Sequence, residues 1–302
     1  MNPFPKTLAR QDYIQEGANP STDAVVLACT VGDDYDNPKS RVIVVRGDLA
    51  LTFDFDGEEV VSIDAADDGI GYVLGENGTV IRFEWRTPAS NTELQQSLQR
   101  FTNPVVEDLG PLRRLRLLGA DIVCAGSVGQ VYHLVDGGFA SLPKLTVGGE
   151  DVTIEDLAGP SVGDFTVATS DGFGARFDGR VWNKLDLPSS SSLNTICRLS
   201  GGRYAIAGDN GTLLIGSAHQ WQAVQLPETE RDYWGIASAG ETIYLAYVDG
   251  IDVYEDGSMQ SLKIPRRRQN EFVVLRSGPN GVWSYAGRSV GLITAGKWQV
   301  MA

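Results

Sequence analysis

One pattern recurs along this chain and limits its fold more than any other feature: an apolar strand, a glycine-bearing tight turn, then a second apolar strand. It appears in GYVLGENGTVIRFEW, IVCAGSVGQVYHLVDGG, TVATSDGFGARFDGRVW, YAIAGDNGTLLIGSAHQW, IYLAYVDGIDVYEDG and WSYAGRSVGLITAGKW. Aligned on Gly78, Gly129, Gly174, Gly211, Gly250 and Gly291, the copies are spaced by 51, 45, 37, 39 and 41 residues. A period of about 40–45 residues is the length of one four-stranded propeller blade. Asn77-Gly78 and Asn210-Gly211 are strong hairpin signals, because Asn and Gly accept the positive φ of a two-residue turn. The chain's 35 glycines follow no Gly-X-Y period, so turns account for their excess.

Further β-rich runs flank each copy. VVSIDAA, LRRLRLL, TIEDLAG, LNTICRL, DYWGIAS and EFVVLRS precede the turns. FASLPKL, VWNKLDLP, QWQAVQLP, MQSLKIP and KWQVMA follow them and alternate apolar with polar, as half-exposed outer strands do. VVLACTV, RVIVVRG and LALTFDF, within residues 24–58, read as one more unit. Either ARQDYIQEG supplies its first strand, or the N-terminus serves as a cap or a closing strand elsewhere.

The expected fold is all-β: a single β-propeller over residues 1–302 with seven blades of four antiparallel strands. The units fall at approximately 1–58, 59–109, 110–154, 155–190, 191–229, 230–268 and 269–302. Six blades plus an N-terminal cap is the alternative. Closing the ring solves the exposed-edge problem of an open strand array. A short helical insertion is expected near 90–101, where Ser90 or Asn91 caps a turn presenting Leu94, Leu98 and Phe101 on one face. It is either a strut or a recognition element. Thr146 to Asp156 forms a second, shorter excursion.

The units resemble bacterial propeller repeats of the photosystem II assembly-factor-like and sialidase-like (BNR) kinds. The likeness lies in Gly75 to Gly78 with Trp85, Gly126 to Gly129, Gly172 to Gly174 with Trp182, Gly208 to Gly211 with Trp221, and Gly287 to Gly291 with Trp298. No Asp-box is intact, since Ser170-Asp171-Gly172 continues into Phe-Gly-Ala, and the WD-repeat Gly-His and Trp-Asp dipeptides are missing. The resemblance therefore implies a fold and leaves chemistry open.

Catalytic signatures are sparse. His133 and His219 sit in no nucleophile or base motif, and no HxxxH or CxxC spacing suggests zinc. Cys29, Cys124 and Cys197 lie in apolar runs and read as buried small hydrophobes. Asp33-Asp34-Tyr35-Asp36-Asn37 and Asp54-Phe55-Asp56-Gly57-Glu58-Glu59 have calcium-loop donors without the completed pattern, and read as solvated turns. Arg46-Gly47-Asp48 reads as a turn. Arg113, Arg114 and Arg116 alternate with leucines, as on an outer strand face. Arg266-Arg267-Arg268 follows Pro265 in an exposed inter-blade connection.

Charge narrows the partner class. The chain carries 39 acidic and 25 basic residues, a net −14, and residues 1–100 alone hold 17 acids against 8 bases. Such a balance disfavours nucleic acid and suits a basic partner. No apolar run is long enough to span a membrane, and the N-terminus has no signal-peptide core. The expected function is thus a non-enzymatic protein-binding propeller, cytoplasmic, monomeric alone, and without cofactor or metal. Its most specific version is an immunity protein that neutralises a basic bacterial toxin domain through an acidic, loop-rich surface. The partner-binding candidates are Asp33, Asp34, Asp36, Asp54, Asp56, Glu58, Glu59, Arg266, Arg267 and Arg268. A propeller enzyme acting on a glycan or small metabolite, and an assembly factor docking on a larger complex, are the alternatives.

Overall fold

The computed structural model describes residues 12–32, 38–103, 109–136, 138–217, 220–225, 230–265 and 272–301. Within them the chain forms seven four-stranded antiparallel sheets, each a meander in chain order, set as the blades of a β-propeller. The innermost strands, one per blade, are Asp12–Ser21, Val60–Ala65, Leu112–Leu118, Ile154–Ser161, Leu193–Arg198, Gly235–Ala239 and Val274–Gly278. The outermost are Leu49–Asp56, Gln99–Thr102, Gly138–Ser141, Trp182–Lys184, Trp221–Ala223, Ser258–Ser261 and Lys297–Val300. Of the two N-terminal alternatives, the first holds: DYIQEG begins the inner strand of blade 1, and the count is seven.

Burial explains the strand patterns. Middle strands are covered on both faces, so Ala24–Val31 is a nearly continuous apolar run. The outermost strand of blade 1 alternates, with Leu51, Phe53 and Phe55 buried and Asp54 and Asp56 exposed. Seven apolar clusters fill the seven gaps between neighbouring blades. Between blades 1 and 2, for example, Val26, Val44 and Phe53 meet Ile63, Val73 and Phe83.

No strand is exchanged at the closure, because blade 1 is wholly N-terminal and blade 7 wholly C-terminal. The seam is instead a packed interface, in which Ile14, Leu27 and Ile43 face Trp283, Tyr285 and Val290. Ile14 N also donates to Gly287 O at 2.6 Å. Tyr285 Oη donates to Asn19 Oδ1 across the same seam.

Gly78 and Gly211 take φ of 85° and 70°, as their hairpins require. In blades 4 and 7 the positive φ belongs to Gly172 and Gly287, while Gly174 and Gly291 lie within strands; Gly250 likewise opens a strand of blade 6. Gly291 is needed for another reason: a Cβ there would stand 2.0 Å from Trp298 Nε1. The insertion is a short helix, Asn91–Gln96, whose N-cap Ser90 accepts from Glu93 N at 3.3 Å. Leu94 is buried in the blade 1–2 core, and Asn91 Oδ1 accepts from Thr52 N at 2.9 Å, so the helix braces the outer strand of blade 1. The second excursion is a small hairpin of Thr146–Val147 and Glu150–Asp151. Among the described residues no helix is long and apolar enough to cross a membrane.

Candidate functional site

A repeated irregularity shapes the centre of the ring. The first five inner strands each carry a bulge near their start, with Gln15, Val61, Arg113, Glu155 and Asn194 as the extra residues. A bulge re-aims side chains and bends the strand. Four of these five, Gln15, Val61, Arg113 and Glu155, line one end of the central channel. The residues that follow them are Glu16, Ser62, Arg114, Asp156 and Thr195, and they form the polar interior.

That interior is an ion network running across blades. Glu16, 4% exposed, binds Arg276 Nη2 through Oε2 at 2.7 Å and Arg114 Nη1 through Oε1 at 2.8 Å. Asp156, 2% exposed, pairs with Arg116 Nη2 at 2.8 Å and accepts from Thr195 Oγ1 at 3.1 Å. Arg116 Nη1 donates to Ser62 Oγ at 3.2 Å, and Arg114 Nε to Glu155 O at 2.9 Å. The network thus reaches blades 1, 2, 3, 4, 5 and 7. At the far end of the channel Ser238 Oγ donates to Arg198 O at 3.2 Å, tying in blade 6.

Electrostatics follow from this packing. Burial works against the Asp156 carboxylate, but Arg116, Arg114 and Arg276 outweigh it and hold its pKa below the usual aspartate value. Arg116 is pushed down to about 10 by burial and by Arg276 beside it. Asp64 accepts from Leu117 N at 3.0 Å, yet burial raises its pKa against the pull of Arg116. Burial likewise raises Glu155, against Arg113 and Arg114.

Above the network the channel opens into a depression of about 390 Å³ formed by residues of six blades or their entry segments. Trp234, 44% exposed, and Tyr13, 38% exposed, stand in its wall with Glu59, Arg113 and Glu155. A larger groove of about 970 Å³ lies between blades 6 and 7, away from the channel, over Tyr244, Val253 and Trp298. The channel mouth is the better candidate, because charged side chains from several blades and two exposed rings converge there.

The structure disperses the acidic residues expected to act together. Asp54 pairs with Arg41 at 2.8 Å on the outer edge of blade 1, where Asp56 is also exposed. Glu58 is buried: Oε2 accepts from Asn77 N at 2.9 Å, and Oε1 lies 3.6 Å from Arg100. Its role is to hold the blade 2 hairpin. Glu59 alone of these four reaches the channel mouth, where it accepts from Gln15 Nε2. The diverging directions of Asp54, Glu58 and Glu59 make no calcium loop, and among the described residues no group of three or more His, Cys, Asp or Glu is placed to hold a metal. Asp33, Asp34, Asp36, Arg266, Arg267, Arg268 and His219 lie outside the described residues.

Other readings are corrected or located. Arg113, Arg114 and Arg116 belong to the innermost strand of blade 3, not to an outer face. The leucines Leu112, Leu115 and Leu118 fill inter-blade cores while Arg114 and Arg116 enter the channel network. Gly47 and Asp48 form a turn, and Arg46 reaches Pro88 O at 2.8 Å. His133 Nε2 lies 3.2 Å from Asp121 Oδ1 in blade 3. Cys29 and Cys124 are buried and Cys197 is half-buried.

The fold and channel define a seven-bladed β-propeller with a polar channel and an aromatic-walled mouth. No protein-family profile matches the chain. It is similar to the immune protein Tsi7 of Pseudomonas aeruginosa, at 21% identity over 140 residues, covering 42% of this chain and 46% of Tsi7. The chain thus matches less than half the length of that relative. Among solved structures, the WD40 β-propeller domain of Doa1 superposes with a TM-score of 0.69 at 11% identity, over 93% of this chain and 92% of that one. YCF48 bound to D1 peptide gives 0.69 at 16%, over 96% and 94%. The computationally designed Ika8 protein gives 0.60 at 17%, over 97% of each.

Proposed function

We propose that this chain is a non-enzymatic protein-binding propeller, a cytoplasmic immunity protein that neutralises a bacterial toxin by gripping it at the channel-mouth face. The observation that carries the reading is the pair of exposed rings, Trp234 and Tyr13, in the wall of a depression fed by six blades. Large aromatics at the centre of a concave face are the usual anchors of protein recognition. The channel carboxylates Glu16 and Asp156 support the non-enzymatic part, since arginines already engage both and Thr195 Oγ1 and Leu157 N also donate to Asp156. The partial similarity to an immune protein favours a toxin as the partner. Repeats resembling the assembly-factor-like and sialidase-like kinds fit the same reading, with the propeller as a rigid support for binding loops.

Growth protection tests this reading. Candidate toxins drawn from the genes that neighbour this chain's own are each expressed in a host with and without the chain. Protection by the wild type, lost or weakened in Trp234→Ala while the variant stays folded, is the expected result. Full toxicity of every candidate in the presence of well-expressed wild type, with no complex on co-purification, refutes it.

A further inference from the structure

The chemistry of the mouth specifies what enters it. Three carboxylates line it: Glu16 has both oxygens on arginines, whereas Glu59 and Glu155 each engage the protein through one oxygen. Glu59 Oε1 accepts from Gln15 Nε2 and, at 3.4 Å, from Thr30 Oγ1. Glu155 Oε2 lies 3.5 Å from Arg113 Nη1, and Arg113 is itself half exposed. Glu59 Oε2 and Glu155 Oε1 have no partner among the described residues. Gln15 Oε1, in the same lining, is buried and accepts no hydrogen bond, so the floor holds a further surplus acceptor. Trp234 and Tyr13 add two ring faces, whose quadrupoles attract cations.

From this we infer that the mouth is a receptor for a basic side chain: an arginine or lysine on a loop of the protein partner enters between the rings and bonds the free oxygens of Glu59 and Glu155. The inference rests on reading this face as the protein-binding surface and names the chemistry of its anchor. A carboxylate from the partner is the competing occupant, since Arg113 lines the same depression. Arg113 offers one loosely held guanidinium, whereas Arg114 beside it is held by Glu16 and Glu155 O. Counted by formal charge, the lining holds three carboxylates, Glu16, Glu59 and Glu155, against two guanidinium groups, Arg113 and Arg114, so it carries one negative charge in excess. The Glu155 carboxylate is also short of compensation where it sits, as its raised pKa indicates, and an incoming cation supplies it. The net charge of −14 draws a basic partner toward this protein before contact.

The test uses the intact chain labelled with 5-fluorotryptophan, the Trp234 signal being assigned by its loss in Trp234→Phe. N-acetyl-arginine amide and N-acetyl-lysine amide stand in for the partner's side chain, with N-acetyl-glutamate amide and N-acetyl-glutamine amide as comparisons. Expected is a saturable shift of the Trp234 signal with the two cationic amides at millimolar concentration. Glu59→Gln and Glu155→Gln should each weaken the response by about tenfold or more, the size of a charged hydrogen bond. Both replacements keep the side-chain shape, and an unchanged melting temperature verifies the fold. A response to the glutamate amide equal to or stronger than that to the arginine amide overturns the inference, as does silence toward both cations. Failure here is distinct from failure of the toxin reading. Undiminished toxin affinity in the Glu59→Gln/Glu155→Gln double variant sinks the basic anchor and leaves growth protection standing. A cation response in a chain that protects against no toxin upholds the anchor and sinks the toxin reading.

Discussion

Glu16 and Arg276 lie 260 positions apart in sequence and meet at 2.7 Å, joining the inner strands of the first and last blades. With no strand exchanged at the closure, this pair does electrostatically part of what a shared strand would do through main-chain bonds. Glu16 also binds Arg114, so its removal strands two largely buried guanidinium groups. Glu16→Ala should cost about 3–5 kcal/mol, the penalty for breaking a buried pair from one side. Glu16→Leu combined with Arg276→Met and Arg114→Met should cost clearly less than the sum of the single changes. Urea unfolding of the set checks this, and strict additivity would show that the three residues are not coupled.

The same seam contains a close approach that needs glycine. A Cβ on Gly17 would stand 2.3 Å from the Tyr285 ring, which is fully buried between blades 7 and 1. Its φ is not among the positive values, so the constraint is space alone. Gly17→Ala should destabilise by about 1–3 kcal/mol through overpacking. Gly257→Ala offers a contrast, because no atom lies within 4 Å of a Cβ there and only its φ of 77° is unfavourable. Thermal unfolding of Gly17→Ala/Tyr285→Leu should recover part of the loss, whereas Gly257→Ala should gain nothing from the Tyr285 change.

Much of the ring is legible in the sequence. Its blade count, six of its outer strands and the short helix follow from short-range signals: Gly turns, two-residue alternation, and the Ser90 to Leu94 pattern. The outer strand of blade 2 does not: the helix stops at Gln96, and Phe101, expected on its face, lies in the strand Gln99–Thr102. Nor is the channel legible. Its residues sit at equal depth in different blades, and the bulges shift the alternation by one position, so Arg114 and Arg116 looked like outward residues of an edge strand. One signal was present all the same. Ile14-Gln15-Glu16, Leu112-Arg113-Arg114, Ile154-Glu155-Asp156 and Leu193-Asn194-Thr195 each place two polar residues after an apolar residue at or near the start of an inner strand. Aligned across blades, these triplets mark the rim and the interior of the channel. Proximity in sequence misled in the opposite sense for Asp54 to Glu59, whose side chains the strand end sends in different directions.

Two shielded thiols, Cys124 fully buried and Cys197 half-buried, give a kinetic readout of unfolding. Burial raises the pKa of Cys124 far above the usual thiol range, and Cys197 is pushed up to about 12 by burial and then by Asp156. Thiolate is the reactive form, so both should be inert in the native ring at pH 8. In variants retaining only Cys124 or only Cys197, a thiol-specific disulfide reagent should label slowly, at a rate that rises with urea as unfolding does. Stoichiometric labelling within seconds in native buffer would contradict the burial of that thiol.

Asp156 makes stability depend on acid in a defined window. Its folded pKa lies below the ordinary value of 3.8, because Arg116, Arg114 and Arg276 together outweigh the burial penalty. For a depressed carboxylate, the stabilisation is fully present above the unfolded value and is lost as pH falls through the folded one. Asp156→Asn should therefore be destabilised at pH 7, by about 3–5 kcal/mol, since Arg116 loses its charged partner in a largely buried site. The deficit relative to wild type should hold down to about pH 5 and shrink only below the ordinary aspartate range, as the wild-type carboxyl takes up its proton. Urea midpoints of both proteins across this range test the claim. A deficit that stays constant to the lowest pH at which the ring survives would assign the loss to shape and hydrogen bonding rather than to the charge of Asp156.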